Sequence, residues 1–369
     1  MPVYIHDIAT AVPPHASRQQ HIREVMKQHV STDRKSEAII HRIYSQSGIE
    51  TRHSVIEDFV DNHHGSLFFN GEAKENPGTS ARNKVYEQES KKLFIEVGQK
   101  LLEGRTSFSK EDITHVITVS CTGFYAPGPD YELVKSLGLS PSTQRFHVGF
   151  MGCYGAFPAM KMAQSFCTAD PDAVVLLVSA ELCTLHFQFN NDIDHLLSGS
   201  VFADGAAGLL VSAQSPQKQA LEFQHFASSL VPDAEKDMAW TIGDTGFNMV
   251  LSSYVPDIIQ KNMQPVLEPL FQQLQLSKDD IDHWALHPGG RAILDKIEQT
   301  MELQPDQLKA SRQVLSRYGN MSSATILFVL KTMMDAGLSP NQQILSMAFG
   351  PGLTIESGLL RVHQPEENK

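Results

Sequence analysis

Short apolar runs alternate with longer amphipathic ones along this chain, the order expected of a layered α/β fold. The apolar runs predict strands at 115–120, 173–179, 208–211, 283–286 and 344–348, with Val3-Tyr4-Ile5 as the opening strand. Amphipathic stretches predict helices over 81–104, 154–167, 256–274 and 290–301. The clearest helix spans 322–336, where Ile326, Val329, Leu330 and Met333 repeat at the helical period and Gly337 stands at the C-cap. The densest apolar window, AVVLLVSA at 173–180, has strand length. No window reaches the roughly 18–20 apolar residues needed to span a bilayer. The polar stretch AQSPQKQA, 213–220, separates an N-terminal half, 1–213, from a C-terminal half, 214–369, each with a glycine-rich motif beside a strand. The closing PEENK reads as a frayed tail.

Composition narrows the function classes. At 369 residues, 41% hydrophobic and 20% charged, the chain matches an ordinary globular protein and excludes a disordered, collagen-like or coiled-coil one. Lys+Arg 30 against Asp+Glu 42 leaves a net charge of −12, which disfavours a nucleic-acid partner, since such binding rests on clustered cations. The start MPVYIHDIATAVPP has no basic patch before an apolar stretch, so no secretory signal is expected and the location reads as cytoplasmic. Four cysteines are too few for a disulfide scaffold and show no zinc-like C-x-x-C spacing. Cys121 and Cys167 read as packed thiols, and Asp192, Asp194 and His195 as one side of a helix or turn, so no metal is expected. Neither a G-x-G-x-x-G nor a phosphate-loop motif occurs.

Three polar residues stand in glycine-flanked turns. Cys153 lies in FMGCYGAF, where a strand-like approach over 145–150 turns sharply into a helix. A thiol there meets exposed N–H groups that favour thiolate, poised to attack an ester or thioester carbonyl. The alternative is a buried, inert cysteine. His287 follows a strand and precedes the glycines of HPGG, at the rim where α/β sites assemble. Asn320 precedes the 322–336 helix, where an asparagine is also a routine cap.

Longer motifs add a family. The segments GCYGA around Cys153, SVFADGAAGLLV (200–211), LHPGGRAILDKIE (286–298), RYGNMSSATILF (317–328) and AFGPGLTIESGLLR (348–361), with CTGFYAPGPDYELVKSLGLSPS (121–142), occur in order along nearly the whole chain. This set resembles the type III polyketide synthases, the chalcone and stilbene synthase family of the thiolase superfamily. The resemblance implies a five-layered αβαβα fold built from two related halves, a homodimer, and acyl-CoA and malonyl-CoA as substrates with no tightly bound cofactor. It implies that Cys153 carries the acyl group while His287 and Asn320 stabilise the developing charge. Phe202 matches the family's gating phenylalanine, Ser322 a cavity-side serine, and Phe349-Gly350-Pro351-Gly352 the loop that supports the cavity. Asp204 and Gly205 read as turn residues. The alternative is a single-condensation ketoacyl carrier-protein synthase of the initiating type, which shares the Cys-His-Asn set.

The chain also departs from the plant enzymes. Met249 stands at the second gating aromatic position, Trp240 at a cavity-lining glycine, and Cys183 and His186 at threonines. Ala126 replaces a methionine that reaches across the dimer. A more apolar, relocated cavity is compatible with a fatty-acyl starter and an alkylpyrone or alkylresorcinol product. Arg42 matches a basic residue at the coenzyme A tunnel entrance, and Arg291 after HPGG is expected nearby.

Overall fold

The computed structural model describes residues 1–60, 67–68, 76–104 and 108–365; of the PEENK tail, all but its proline lie outside the described residues. The elements in order are β1 (Tyr4–Ala11), β2 (His15–Arg18), α1 (Gln19–Val30), α2 (Arg34–Gln46), β3 (Thr51–Ser54), α3 (Thr79–Leu102), β4 (His115–Ser120), α4 (Pro129–Leu137) and β5 (Gln144–Gly149). There follow α5 (Ala156–Ala169), β6 (Val174–Leu182), α6 (Ile193–Val201), β7 (Asp204–Ser212), β8 (Ala220–Leu230), and the hairpin β9 (Met238–Gly243) and β10 (Gly246–Leu251). The chain closes with α7 (Val255–Leu274), β11 (His283–Leu286), α8 (Arg291–Thr300), α9 (Lys309–Tyr318), α10 (Thr325–Ala336), β12 (Gln343–Gly350) and β13 (Thr354–His363).

Nine strands form one sheet in the order β11-β12-β13-β8-β1-β7-β6-β4-β5. Its pairing pattern repeats. β7 runs antiparallel to β1, β6 antiparallel to β7, and β4 parallel to β6; β13, β12 and β11 stand in the same relations to β8, β13 and β12. The two runs join where Tyr4 and Ile5 of β1 meet Glu222 and Leu221 of β8.

Period-two alternation gives each strand two apolar faces. Ile117, Val119, Val175 and Leu177 share a central core with Ile344, Ala348 and Leu360 and with the buried faces of α5 and α10. Val116, Leu176 and Val178 face outward toward α3 and α4, and the buried faces of α1 and α2 join the same cluster. On the far side, Trp284, Leu345 and Met347 pack against α7 and α8. The two runs of this sheet thus lie on either side of α5 and α10, and with the outer helices they make five layers, αβαβα. A strand covered on both sides loses polar alternation, and β6 is buried at all nine positions.

Three boundaries differ from expectation at places that matter. The 208–211 strand begins four residues earlier, so Asp204 and Gly205 open β7 rather than form a turn. The buried Asp204 carboxylate accepts from the backbone N–H and hydroxyl of Thr184 (2.8 and 2.6 Å) and from Val55 N–H (2.9 Å), which ties the strand start to two loops. The helices expected at 154–167 and 322–336 each begin with one tight 3₁₀ turn, Gly152–Tyr154 and Ser322–Ala324. Those two turns, at equivalent points of the repeat, hold the site.

Candidate active site

Beyond β5 the backbone turns twice through the left-handed region, at Phe150 (φ 60°) and Gly152 (φ 73°), and delivers Cys153 into its 3₁₀ turn. Gly152 N–H donates to the Cys121 sulfur at 2.9 Å, fixing the turn from below. His287 follows β11 directly. Its N–H donates to Met347 O (2.8 Å), extending the parallel ladder, and Gly289 N–H returns to its carbonyl (3.0 Å). Both nitrogens of the His287 ring are buried and have no hydrogen-bond partner among the described residues.

Asn320 is not a helix cap of the ordinary kind. Its N–H donates to Val201 O (2.8 Å) and its carbonyl accepts from Ala203 N–H (2.9 Å), a parallel bridge that pairs it with Phe202. Its side-chain oxygen accepts from Ser322 N–H (2.8 Å), so the amide nitrogen points the other way, donating to Gly289 O (3.2 Å). The amide and the Ser322 hydroxyl both favour the Cys153 thiolate, without outweighing its burial.

One cavity is lined by Cys153, His287 and Asn320, and also by Phe202, Cys183, His186, Trp240, Met249, Ser322, Phe349 and Pro351. Gly350 and Gly352, expected at the cavity, do not line it. Gly350 packs instead on Tyr154 and the Cys153 backbone, and Gly352 supplies a left-handed turn (φ 74°). Cys121, expected only to pack, lines the cavity, while Cys167 is buried with its thiol toward Ala173 O and Val211 O. Arg42 and Arg291 are exposed and do not line the cavity. The stem of Arg291 lies against Gly48, just past the end of α2 that carries Arg42, and its guanidinium faces Asp295 at 3.3 Å. Asp192 caps α6, and His195 on that helix lines the cavity.

Burial opposes the expected thiolate. Burial pushes the Cys153 thiol up to about 12, against the pull of Ser322 and Asn320, and pushes the His287 imidazole down to about 3. The helix-start N–H groups do not outweigh desolvation of a charge taken out of water. Desolvation thus disfavours the charged form of each of these two cavity residues.

Sequence reasoning missed Glu181. This fully buried carboxylate accepts from Cys121 N–H (2.9 Å), the Thr122 hydroxyl (2.9 Å) and the Ser323 hydroxyl (2.5 Å), so it bridges the loop after β4 to the turn that opens α10. Burial raises its pKa. A glutamate inside an otherwise apolar strand was its only signal. His186 was expected in the cavity; its Nε2 lies 2.8 Å from Thr122 O, Phe247 N–H donates to its Nδ1 (3.0 Å), and its ring stacks on Phe247 at 4.1 Å. Trp240 and Met249 are direct cross-strand partners in the β9–β10 hairpin, and the indole N–H donates to Cys121 O (2.8 Å).

Residues 2–215 match the family described as chalcone and stilbene synthases, N-terminal domain, and residues 222–363 match its C-terminal domain. Among solved structures, the chain is similar to PKS-I from the brown alga Ectocarpus siliculosus (28% identity, TM-score 0.89, covering 99% of this chain and 98% of that one). It is also similar to the C-terminal type III polyketide synthase domain of Steely1, a type I/III hybrid from Dictyostelium (27% identity, TM-score 0.90, 98% and 99%). A third likeness is to 1,3,6,8-tetrahydroxynaphthalene synthase from Streptomyces coelicolor A3(2), a bacterial type III polyketide synthase (28% identity, TM-score 0.88, 98% and 100%). With both domains matched across two glycine-bounded turns that meet at one cavity, this chain belongs to the chalcone and stilbene synthase family of type III polyketide synthases.

Proposed function

We propose that the chain is an iterative condensing acyltransferase in which Cys153 carries the growing acyl group. An acyl-CoA starter places its thioester carbonyl against the Cys153 sulfur. His287 accepts the thiol proton as the C–S bond forms and returns it to the departing coenzyme A thiolate. The His287 ring and the Asn320 amide stabilise the oxyanion. Malonyl-CoA then loses carbon dioxide, and the same two groups hold the enolate oxygen. The enolate carbon attacks the acyl carbonyl, a C–C bond forms, and the Cys153 thiolate leaves.

The carrying observation is that Cys153, an unpartnered His287 ring and an Asn320 amide of fixed direction face one cavity. His287 begins neutral, which suits a base that must first accept a proton. The aromatic and aliphatic lining supports an apolar, fatty-acyl starter and an alkylpyrone or alkylresorcinol product. Phe202 is read as the gate, and Arg42 and Arg291 as cations at the coenzyme A mouth. We read residues 1–213 and 214–369 as the two fused halves, the active form as a homodimer and the location as cytoplasmic.

The test is incubation with a panel of acyl-CoA starters and malonyl-CoA, without carrier protein, followed by product masses. Multiply extended, cyclised products support this function. Strict carrier dependence with a single condensation replaces it with the initiating ketoacyl synthase reading. Cys153→Ala should abolish acyl-enzyme formation yet keep malonyl-CoA decarboxylation, and acylation of that variant at another residue would remove the nucleophile assignment.

A further inference from the structure

Helix α6 ends in an unusual way, and the residue that completes its end lies far away in sequence. The last carbonyls of a helix lack intrahelical partners and must find others. Phe202 N–H closes on Ser198 O at 3.1 Å, but Ala203 N–H, the natural partner of Gly199 O, is diverted to Asn320 O. Val201 O is in turn taken by Asn320 N–H, and Ser200 O by the Gln19 amide (2.7 Å). The two remaining carbonyls, Gly199 O and Phe202 O, both accept from Nη1 of Arg52, at 2.8 and 2.6 Å.

Arg52 comes from β3, is buried, and lines the cavity. Its guanidinium sits at the negative end of the α6 dipole, the favourable place for a cation. Its aliphatic stem closes the other side. Gly319 adopts φ 71°, and a Cβ there would fall 3.1 Å from Arg52 Cγ and Cδ and 2.9 Å from Val201 O. The residue before Asn320 is thus wedged between Arg52 and the end of α6. On the opposite flank Asp204 grips Val55, three residues along from Arg52.

We propose that Arg52 is a positioning residue for the condensation, holding the Phe202 carbonyl and the Asn320 loop in register so that gate and amide face the Cys153 sulfur together. The inference rests on the roles given above to Asn320 and Phe202. Arg52 touches no reacting atom and acts through these two residues. Lysine keeps the charge, yet its flexible ammonium lacks the planar guanidinium that aims both Nη1 hydrogens, one at each carbonyl.

The experiment compares Arg52→Lys and Arg52→Met with native enzyme and Asn320→Ala, measuring malonyl-CoA decarboxylation and, separately, Cys153 acylation by intact mass. In the Arg52 variants the decarboxylation kcat should fall at least tenfold with KM within threefold, acylation should fall by a clearly smaller factor, and lysine should retain more activity than methionine. Equal loss in both steps, or an undiminished decarboxylation kcat, overturns the proposal. If methionine prevents folding, lysine alone decides on the same criteria. Loss in Asn320→Ala but none in the Arg52 variants refutes the positioning role only. Intact decarboxylation in Asn320→Ala refutes the reading of Asn320, and the proposal with it.

Discussion

Pro351 occupies the space that any side chain on Gly152 would need: a Cβ built on that glycine overlaps the proline ring. The nucleophile turn and the loop after β12 are therefore fitted to each other, one from each half of the repeat. Gly152→Ala incurs a left-handed backbone penalty of about 1–2 kcal/mol and must also push Pro351 or Cys153 aside. Gly352 is the internal control, since its φ is also left-handed (74°) but its nearest neighbours stand at 3.8 and 3.9 Å. Thermal melts should show both alanine variants destabilised. Cys153 acylation should fall by about 100-fold in Gly152→Ala, the scale of a 1 Å misplacement, and stay within about threefold in Gly352→Ala. Equal acylation in the two variants would show that the fit to Pro351 does not place the nucleophile.

Burial opposes both charged forms at the centre, with the thiol at about 12 and the imidazole at about 3. Proton transfer between them creates two opposite charges at once, each easing the other's desolvation. In His287→Ala no acceptor remains, so the thiol should stay protonated through neutral pH. Its alkylation by iodoacetamide should rise about tenfold per pH unit from pH 7 to 10 without a plateau, as expected below a pKa near 12. Native enzyme should react faster at pH 7 and with a shallower slope. Identical slopes would remove His287 from thiol activation.

The legible parts of this molecule were those where local pattern and tertiary role coincide. β4, β6 and β11 are short apolar runs because they are covered on both faces, and α10 keeps its period because it packs in the central layer. Cys153, His287 and Asn320 were legible because each stands in a turn whose glycines are required by close approach. The hairpin β9–β10 was not, since Trp240 and Met249 point at a cavity while Thr241 and Ile242 are exposed, which leaves no steady alternation. Glu181 and Arg52 were hidden for a different reason. A buried charge is defined by the distant carbonyls and N–H groups it satisfies, from Cys121 to Ser323 for one and from Gly199 to Phe202 for the other, and sequence spacing carries no trace of them. The burial that opposes a Cys153 thiolate was hidden too, because a helix terminus is visible in sequence and desolvation is not.

His186 satisfies two buried backbone groups through its two ring nitrogens. His186→Phe preserves a ring against Phe247 but leaves Thr122 O and Phe247 N–H unpaired, at a cost of about 2–4 kcal/mol at pH 7.5. The deficit should depend on pH. Burial lowers this imidazole from 6.5 to about 3, so its stabilising contribution is complete above pH 6.5 and declines as pH falls toward 3. The variant lacks that proton-linked loss. The stability gap measured by urea titration should narrow by about 1.4 kcal/mol per unit below pH 6.5. A gap unchanged between pH 7.5 and 5 would mean that the buried ring does not titrate as its surroundings require.

Trp240 sets a boundary of the cavity that a smaller residue should move. Its indole stands edge-on to His186 (5.3 Å) and Phe247 (5.7 Å), its N–H is committed to Cys121 O, and its cross-strand partner Met249 lines the same wall. Trp240→Ala removes an aromatic volume and one hydrogen bond without touching Cys153, His287 or Asn320. The cost should be about 1–3 kcal/mol, below that of a fully buried tryptophan because the side chain is only half-buried. Acylation should persist, since the variant leaves the nucleophile turn intact. Given the same starter and malonyl-CoA, the enlarged chamber should release products longer by one or more two-carbon units, read as added mass. A folded, acylating variant with an unchanged product mass would show that chain length is limited elsewhere, on the Phe202 side of the cavity.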